Sequence, residues 1–191
     1  MAPALVVSRG TLLASAPDLL DPNFMHTVSV MCEHTASGAY GLVINKQSSL
    51  TLDRLLPEHP VFGEMRTPVG WGGPVGTDTL QIVHRLPDRV SGGFEVAEGL
   101  FLGGELDEVA MLCAESDGSA LAGRLRWILG YAGWGAGQLE LELASGSWLP
   151  LPMDGDLLFR HDQEATWQSA LRSLGAEGQG LAELPPDIGW N

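Results

Sequence analysis

The run Cys32-Glu33-His34 sets a thiol, a carboxylate and an imidazole at consecutive positions, the side-chain types from which nucleophilic or metal chemistry is built. The stretch Val28 to His34 is β-rich, which puts Cys32 and His34 on one strand face. Residues two apart on a strand are separated by roughly 6.5–7 Å, too far for a direct thiol–imidazole hydrogen bond. A second β-rich run, Ala39 to Asn45, follows the glycine-containing loop Thr35-Ala36-Ser37-Gly38, and the two form a predicted hairpin. Its pairing sets His34 opposite Ala39 and Glu33 opposite Tyr40, with Asn45 at the far end beside Val28. No Cys-His-Asn triad closes within it. A zinc site needs three or four ligands, and His84 is the only other histidine on a predicted strand, so neither a metal nor a cofactor is expected. His26 follows the turn Asp21-Pro22-Asn23-Phe24-Met25 and is expected to bond to backbone.

The most distinctive segment is Gly130-Tyr131-Ala132-Gly133-Trp134-Gly135-Ala136-Gly137-Gln138-Leu139-Glu140. Glycines between a strand and a helix let backbone N–H groups approach an anion at the helix start. The spacing is not the dinucleotide fingerprint, and no GxxxxGK or GxSxG occurs. Two readings stay open: a structural turn that threads Tyr131 and Trp134 through tight packing, or a binding surface at Gly133, Trp134, Gly135, Gly137 and Gln138.

The elements that must position these residues follow from composition and periodicity. A chain of 191 residues with 45% hydrophobic and 18% charged residues is expected to form one domain over 1–191. No apolar run approaches the ~18 residues of a membrane span, and Met1 to Leu13 lacks a secretory pattern, so the expected location is the cytoplasm. Cys32 and Cys113 read as reduced, packed thiols. The net charge of −14, with Lys46 the one lysine, sets a repulsive field against direct nucleic-acid binding, which is therefore not expected. Predicted strands are Thr11 to Ser15, the hairpin, Thr79 to His84, Phe94 to Leu102 and Arg124 to Tyr131. Predicted helices are Thr51 to Leu56, capped by Ser48 or Ser49 and stopped by Pro57, then Glu105 to Glu115, Gln138 to Leu143, and a closing helix Ala165 to Leu174. Residues 177–191 read as a loosely packed tail. Apolar residues on both faces of the hairpin, with Val28, Val30 and Cys32 on one and Met31, Leu42 and Ile44 on the other, make it central in a sheet covered on both sides.

Taken in order, Gly10-Thr11-Leu12-Leu13-Ala14-Ser15, Leu20-Asp21-Pro22-Asn23-Phe24, Cys32-Glu33-His34, Gly38-Ala39-Tyr40-Gly41-Leu42-Val43-Ile44-Asn45, Gly72-Gly73-Pro74-Val75 and the Gly130 to Glu140 segment form a composite pattern. On these blocks the chain resembles the YqgE/AlgH family of bacterial proteins from about Gly10 to Leu174. Tyr40 and Lys46 stand where methionine and arginine are commoner in that family. The resemblance implies an α/β fold of the α+β type: a large mixed β-sheet, partly rolled on itself and flanked by helices. One branch of the family is described as a transcriptional regulator, and the resemblance supplies no catalytic residues to carry over.

The expectation is therefore a non-enzymatic binding or regulatory protein that acts through a small molecule or a protein partner. Its surface is expected at Cys32, Glu33, His34 and Asn45 together with Gly133, Trp134, Gly135, Gly137 and Gln138. The alternative is a hydrolase or transferase using Glu33, His34 or His84, with at least two of them brought together in one pocket by the fold.

Overall fold

The computed structural model describes residues 5–116, 118–160 and 162–183. In chain order it contains β1 (Leu12–Ser15), β2 (Val28–Thr35), β3 (Gly38–Val43), β4 (Lys46–Thr51), α1 (Leu52–Leu55), a 3-10 turn Phe62–Glu64, β5 (Pro68–Trp71), β6 (Val75–His84), β7 (Phe94–Ala97), β8 (Leu100–Leu102), α2 (Leu106–Glu115), α3 (Gly118–Leu121), β9 (Leu125–Gly135), α4 (Gln138–Ala144), β10 (Trp148–Leu151), a 3-10 turn Leu157–Phe159, α5 (Gln163–Arg172) and α6 (Ala176–Ala182). The strands form one mixed sheet in the order β10-β1-β2-β3-β9-β6-β8-β7, not closed on itself. β9 organises it. β6 runs antiparallel along one edge of β9, while the other edge carries β3 and the parallel β5 end to end. Residues from the two ends of the sheet, Leu12 and Leu151 against Val96, Leu100 and Leu102, share one core, which is the rolling that the α/β expectation described.

The hairpin lies in the middle of the sheet, and its pairs Glu33–Tyr40 and His34–Ala39 are the expected ones. The two faces differ from the expected sets. A β-bulge at Cys32 shifts the register between Met31 and Glu33, so Val30 pairs with Leu42 and the two share a face. Leu42 and Ile44 therefore join Val28, Val30 and Cys32 in the main core. Met31 points the other way, into a second cluster with Leu13, Ala39, Trp134, Leu139 and Trp148. One extra residue in a strand is enough to reverse a face assignment made by strict alternation.

Three further expectations are corrected. Ser48 and Ser49 lie in β4, where the Ser48 hydroxyl donates to the Val69 carbonyl of β5 at 2.7 Å, and α1 begins at Leu52 without a side-chain cap. The glycine-rich segment is not a loop through Gly135: β9 runs on to that residue, leaving Ala136-Gly137 as the turn into α4. The chain does not close on α5, because α6 packs against it. Gly178 passes so near the Leu171 carbonyl that a Cβ would stand 1.9 Å from the oxygen, and Ala182 is buried. The loose-tail expectation thus fails over 177–182, and the rest of the tail, from 184, lies outside the described residues.

Candidate functional site

The β3–β9 ladder brings most of the sequence-selected residues together. Gly38 pairs with Gly135, Ala39 with Trp134 and Tyr40 with Gly133, so the hairpin tip bearing Glu33 and His34 lies beside the end of β9 and the start of α4. His34 ties this junction. One ring nitrogen meets the Val7 carbonyl at 3.0 Å and the other meets the Glu140 carboxylate at 2.8 Å, so both can donate when the ring is protonated. The Val7 carbonyl, and then Glu140, raise the His34 pKa above its ordinary value, while Glu140 is held low first by a backbone N–H, its own, and then by His34. The stabilisation from a raised histidine pKa is full below the unfolded value and disappears as pH rises through the folded one. An NMR titration is expected to find His34 titrating above 6.5, and Glu140→Gln is expected to lower that midpoint.

Other candidates are placed elsewhere. Cys32 is fully buried in the main core, and the bulge sends it and His34 to opposite faces, which removes the same-face relation expected for an unbulged strand. Burial pushes its thiol up to about 12, which leaves it a packed thiol and a poor nucleophile at neutral pH. Asn45 is also fully buried, at the far end of the hairpin. Its amide oxygen accepts from Val28 N–H at 2.8 Å, and its nitrogen donates to the carbonyls of His26 and Gln163. His26 departs from the expected backbone bond: its ring contacts the Glu164 carboxylate at 2.8 Å and stacks on Trp167.

His84 sits where β6 pairs with Leu125, whereas Gly38 of the hairpin pairs with Gly135, so the length of β9, roughly 30 Å, separates it from Glu33 and His34. The ring is buried, accepts from Leu86 N–H and stacks on Phe101. Burial holds its imidazole below the ordinary value. Glu33 pairs with Tyr40, which packs on the main core, and His34 with Ala39, which belongs to the second cluster, so these neighbours point to opposite faces and no pocket forms in which two of Glu33, His34 and His84 converge. Among the described residues no group of three His, Cys, Asp or Glu side chains is placed to hold a metal.

What the junction does contain is a pocket of about 230 Å³ bordered by Leu19, Phe24, Trp134 and Trp148 on its apolar side and by Asp21, Gln138 and Glu142 on its polar side. The rings of Phe24, Trp134 and Trp148 lie 5.5–6.5 Å apart, so they form one continuous aromatic wall. Glu142 anchors it. One carboxylate oxygen accepts the indole N–H of both Trp134 and Trp148 at 2.8 Å, and the other accepts from Gln138 at 2.8 Å. Gln138 also accepts from Gly135 N–H through its amide oxygen, which fixes the turn at Ala136-Gly137. No Lys or Arg borders the pocket. On the far side of Phe24, the Lys46 ammonium lies 4.9 Å from the centre of the Trp71 ring and donates to the carbonyls of Pro22 and Asn23.

Sequence reading selected Gly133, Trp134 and Gln138 but missed Asp21, Glu142 and Trp148 as their companions. The available signal was the i, i+4 spacing of Gln138 and Glu142 on one helix face, flanked by two tryptophans whose buried indoles need acceptors. Trp134 is itself only 6% exposed, so its replacement by alanine would disturb packing and could not isolate binding.

Fold and junction together define a mixed α/β architecture with an aromatic-walled pocket where β9 meets α4. A profile of the AlgH-like family matches residues 12–179, and the chain belongs to that family. It is 37% identical to a UPF0301 protein of Chlorobaculum tepidum over 97% of both chains. It is 40% identical to one of Thioalkalivibrio sulfidiphilus over 86% of this chain and 88% of that one. The solution structure of the AlgH protein from Pseudomonas aeruginosa superposes with a TM-score of 0.71 at 30% identity, covering 97% of this chain and 98% of that one. The crystal structure of a Corynebacterium diphtheriae protein, at 17% identity, TM-score 0.70 and coverage of 95% and 94%, shares the fold.

Proposed function

We propose that the protein is a non-enzymatic binding protein of the bacterial cytoplasm whose pocket at the β9–α4 junction takes a cationic group carrying apolar substituents, such as an alkylated ammonium. The observation that carries this reading is the Glu142 carboxylate, held by two indole N–H groups against an aromatic wall in a pocket with a second carboxylate and no cation. Aromatic faces attract cations, and an alkylated ammonium also buries its methyl groups against them. Lys46 on Trp71 is an internal precedent for the same chemistry. The net charge of −14 draws cations towards the surface and repels nucleic acid. A regulatory role in transcription, which the family resemblance suggests, would on this reading be exerted through the bound ligand or a protein partner, without direct DNA contact.

Choline and its neutral isostere 3,3-dimethylbutanol separate the charge from the shape. Tryptophan fluorescence is expected to report saturable binding of choline and at least tenfold weaker binding of the alcohol, about 1.4 kcal/mol. Glu142→Gln keeps hydrogen-bonding groups beside both indoles while removing the charge, and is expected to abolish the preference for choline. Equal affinity for the two compounds would refute the reading.

A further inference from the structure

A larger cavity lies away from this junction, between the β4–β5 ribbon, the α2–α3 helices and the first residues of β9. It measures about 420 Å³, within the range of small-molecule sites. Met65, Cys113, Leu121, Leu125 and Trp127 form an apolar wall, continuous with the core cluster that α2 covers. Gln47, Arg66, Thr67 and Arg126 supply the polar groups.

Arg126 is the unusual one. It is 6% exposed, and its Nη1 donates to the carbonyls of Leu158 at 2.7 Å and Arg160 at 2.9 Å. Its Nη2 is buried without a hydrogen-bond partner, and no carboxylate lies within ion-pair distance among the described residues. The guanidinium lies over Gly70, where a Cβ would stand 3.4 Å from Nε and 3.5 Å from Nη2. Gly70 pairs with Gln47, which carries this arrangement to the cavity rim. Burial lowers the Arg126 pKa to about 10, so it remains cationic at neutral pH. An unpaired buried charge is among the costliest features a fold can hold, and an anion beside it recovers much of that cost.

The charge pattern points the same way. The chain has 24 acidic residues and 10 basic ones, yet among the described residues two arginines and no Asp or Glu border this cavity. Arg66 is exposed at the rim and makes no ion pair among the described residues. A cavity with an apolar wall and a cationic end fits an anion with an apolar body. The planar, forked guanidinium fits a carboxylate in particular.

We propose that this cavity is a second ligand site, selective for a small amphiphilic carboxylate whose head group meets Arg126 and Arg66 and whose hydrocarbon portion lies along Met65, Leu121 and Trp127. It shares no residue with the aromatic pocket, so the two assignments stand or fall separately.

The full chain titrated calorimetrically with octanoate, 1-octanol and inorganic phosphate tests it. Octanoate is expected to bind saturably and to raise the melting temperature, with 1-octanol at least tenfold weaker and phosphate alone without effect. Arg126→Met is expected to lose at least tenfold in octanoate affinity. Because that residue also braces the carbonyls of 158 and 160, a folded control is needed, and Ala122→Trp provides it. Ala122 is exposed at the cavity border, so the bulkier side chain obstructs the cavity while circular dichroism stays native, and octanoate binding is expected to disappear. Unchanged octanoate binding in Ala122→Trp, or equal binding of octanoate and 1-octanol by the unsubstituted protein, overturns the proposal.

Discussion

Replacing Asn45 by alanine is expected to lower the unfolding free energy by about 3–5 kcal/mol, read from the shift of a urea midpoint at constant slope. Asn45 is fully buried and satisfies three backbone groups from separate parts of the chain: Val28 N–H at the start of β2, the His26 carbonyl in the preceding turn and the Gln163 carbonyl at the start of α5. Alanine leaves all three without their side-chain partner, each loss costing about 1–3 kcal/mol. His26 has a positive φ of 52°, uncommon for a residue with a Cβ, and its carbonyl is one of the groups Asn45 holds. Asn45→Asp is expected to be no better, because it retains an acceptor for Val28 but removes both donors and buries a charge. A loss below 1 kcal/mol for Asn45→Ala would mean that the residue does not couple these segments. The sequence placed Asn45 beside Val28 correctly and grouped it with the binding residues. Its environment assigns it to holding α5 against the sheet.

The second large effect concerns Gly73. It has φ +152°, and a Cβ there would stand 2.0 Å from the Tyr131 carbonyl carbon and 2.3 Å from Ala132 N. These are backbone atoms, so no rotamer change relieves the overlap. Gly73→Ala is expected to cost more than about 3 kcal/mol, or to prevent folding. The contact is reciprocal: a Cβ on Gly130, at φ +73°, would stand 2.5 Å from the Gly73 carbonyl oxygen, and one on Gly72 would stand 2.4 Å from the Gly130 oxygen. The Gly72-Gly73 bend therefore crosses β9 with backbone against backbone. Gly137 is the control. Its φ of +74° lies in the left-handed region but nothing stands within 4 Å of its Cβ position, so Gly137→Ala is expected to cost only about 1 kcal/mol. Similar melting temperatures for the two variants would contradict the crossing as the reason for these glycines.

These residues show what could be read from the chain and what could not. The hairpin, its central position and its His34–Ala39 register were legible because β-rich runs and loop length act locally. The facing of Met31 against Leu42 was not, since the bulge at Cys32 leaves no mark where Val30, Met31 and Cys32 are all apolar and show no alternation. The Gly130 segment announced unusual backbone, but not that Gly73 and Gly130 require each other, since the two lie 57 positions apart in the chain. Gly133, Trp134 and Gln138, selected from the sequence as a binding surface, lie beside the hairpin tip, whereas Asp21 and Trp148 enter through long-range packing. The Arg126 cavity was invisible for the same reason, because Gln47, Arg66, Leu121 and Arg126 form no pattern along the chain. Serines before α1 looked like caps until β5 supplied a cross-strand acceptor for one of them.

The proposed cation site rests on the Glu142 carboxylate that Trp134 and Trp148 hold at the pocket wall. The most direct measurement follows the indole N–H signals of these two residues by NMR during a choline titration, because both protons sit on the same oxygen of Glu142. The two signals are expected to shift together and saturably with choline and to need at least tenfold more 3,3-dimethylbutanol for the same shift, while the Trp127 and Trp167 indole signals stay unmoved. Identical shifts with the uncharged compound, or movement of Trp127 and Trp167 while Trp134 and Trp148 remain fixed, would contradict the proposed site.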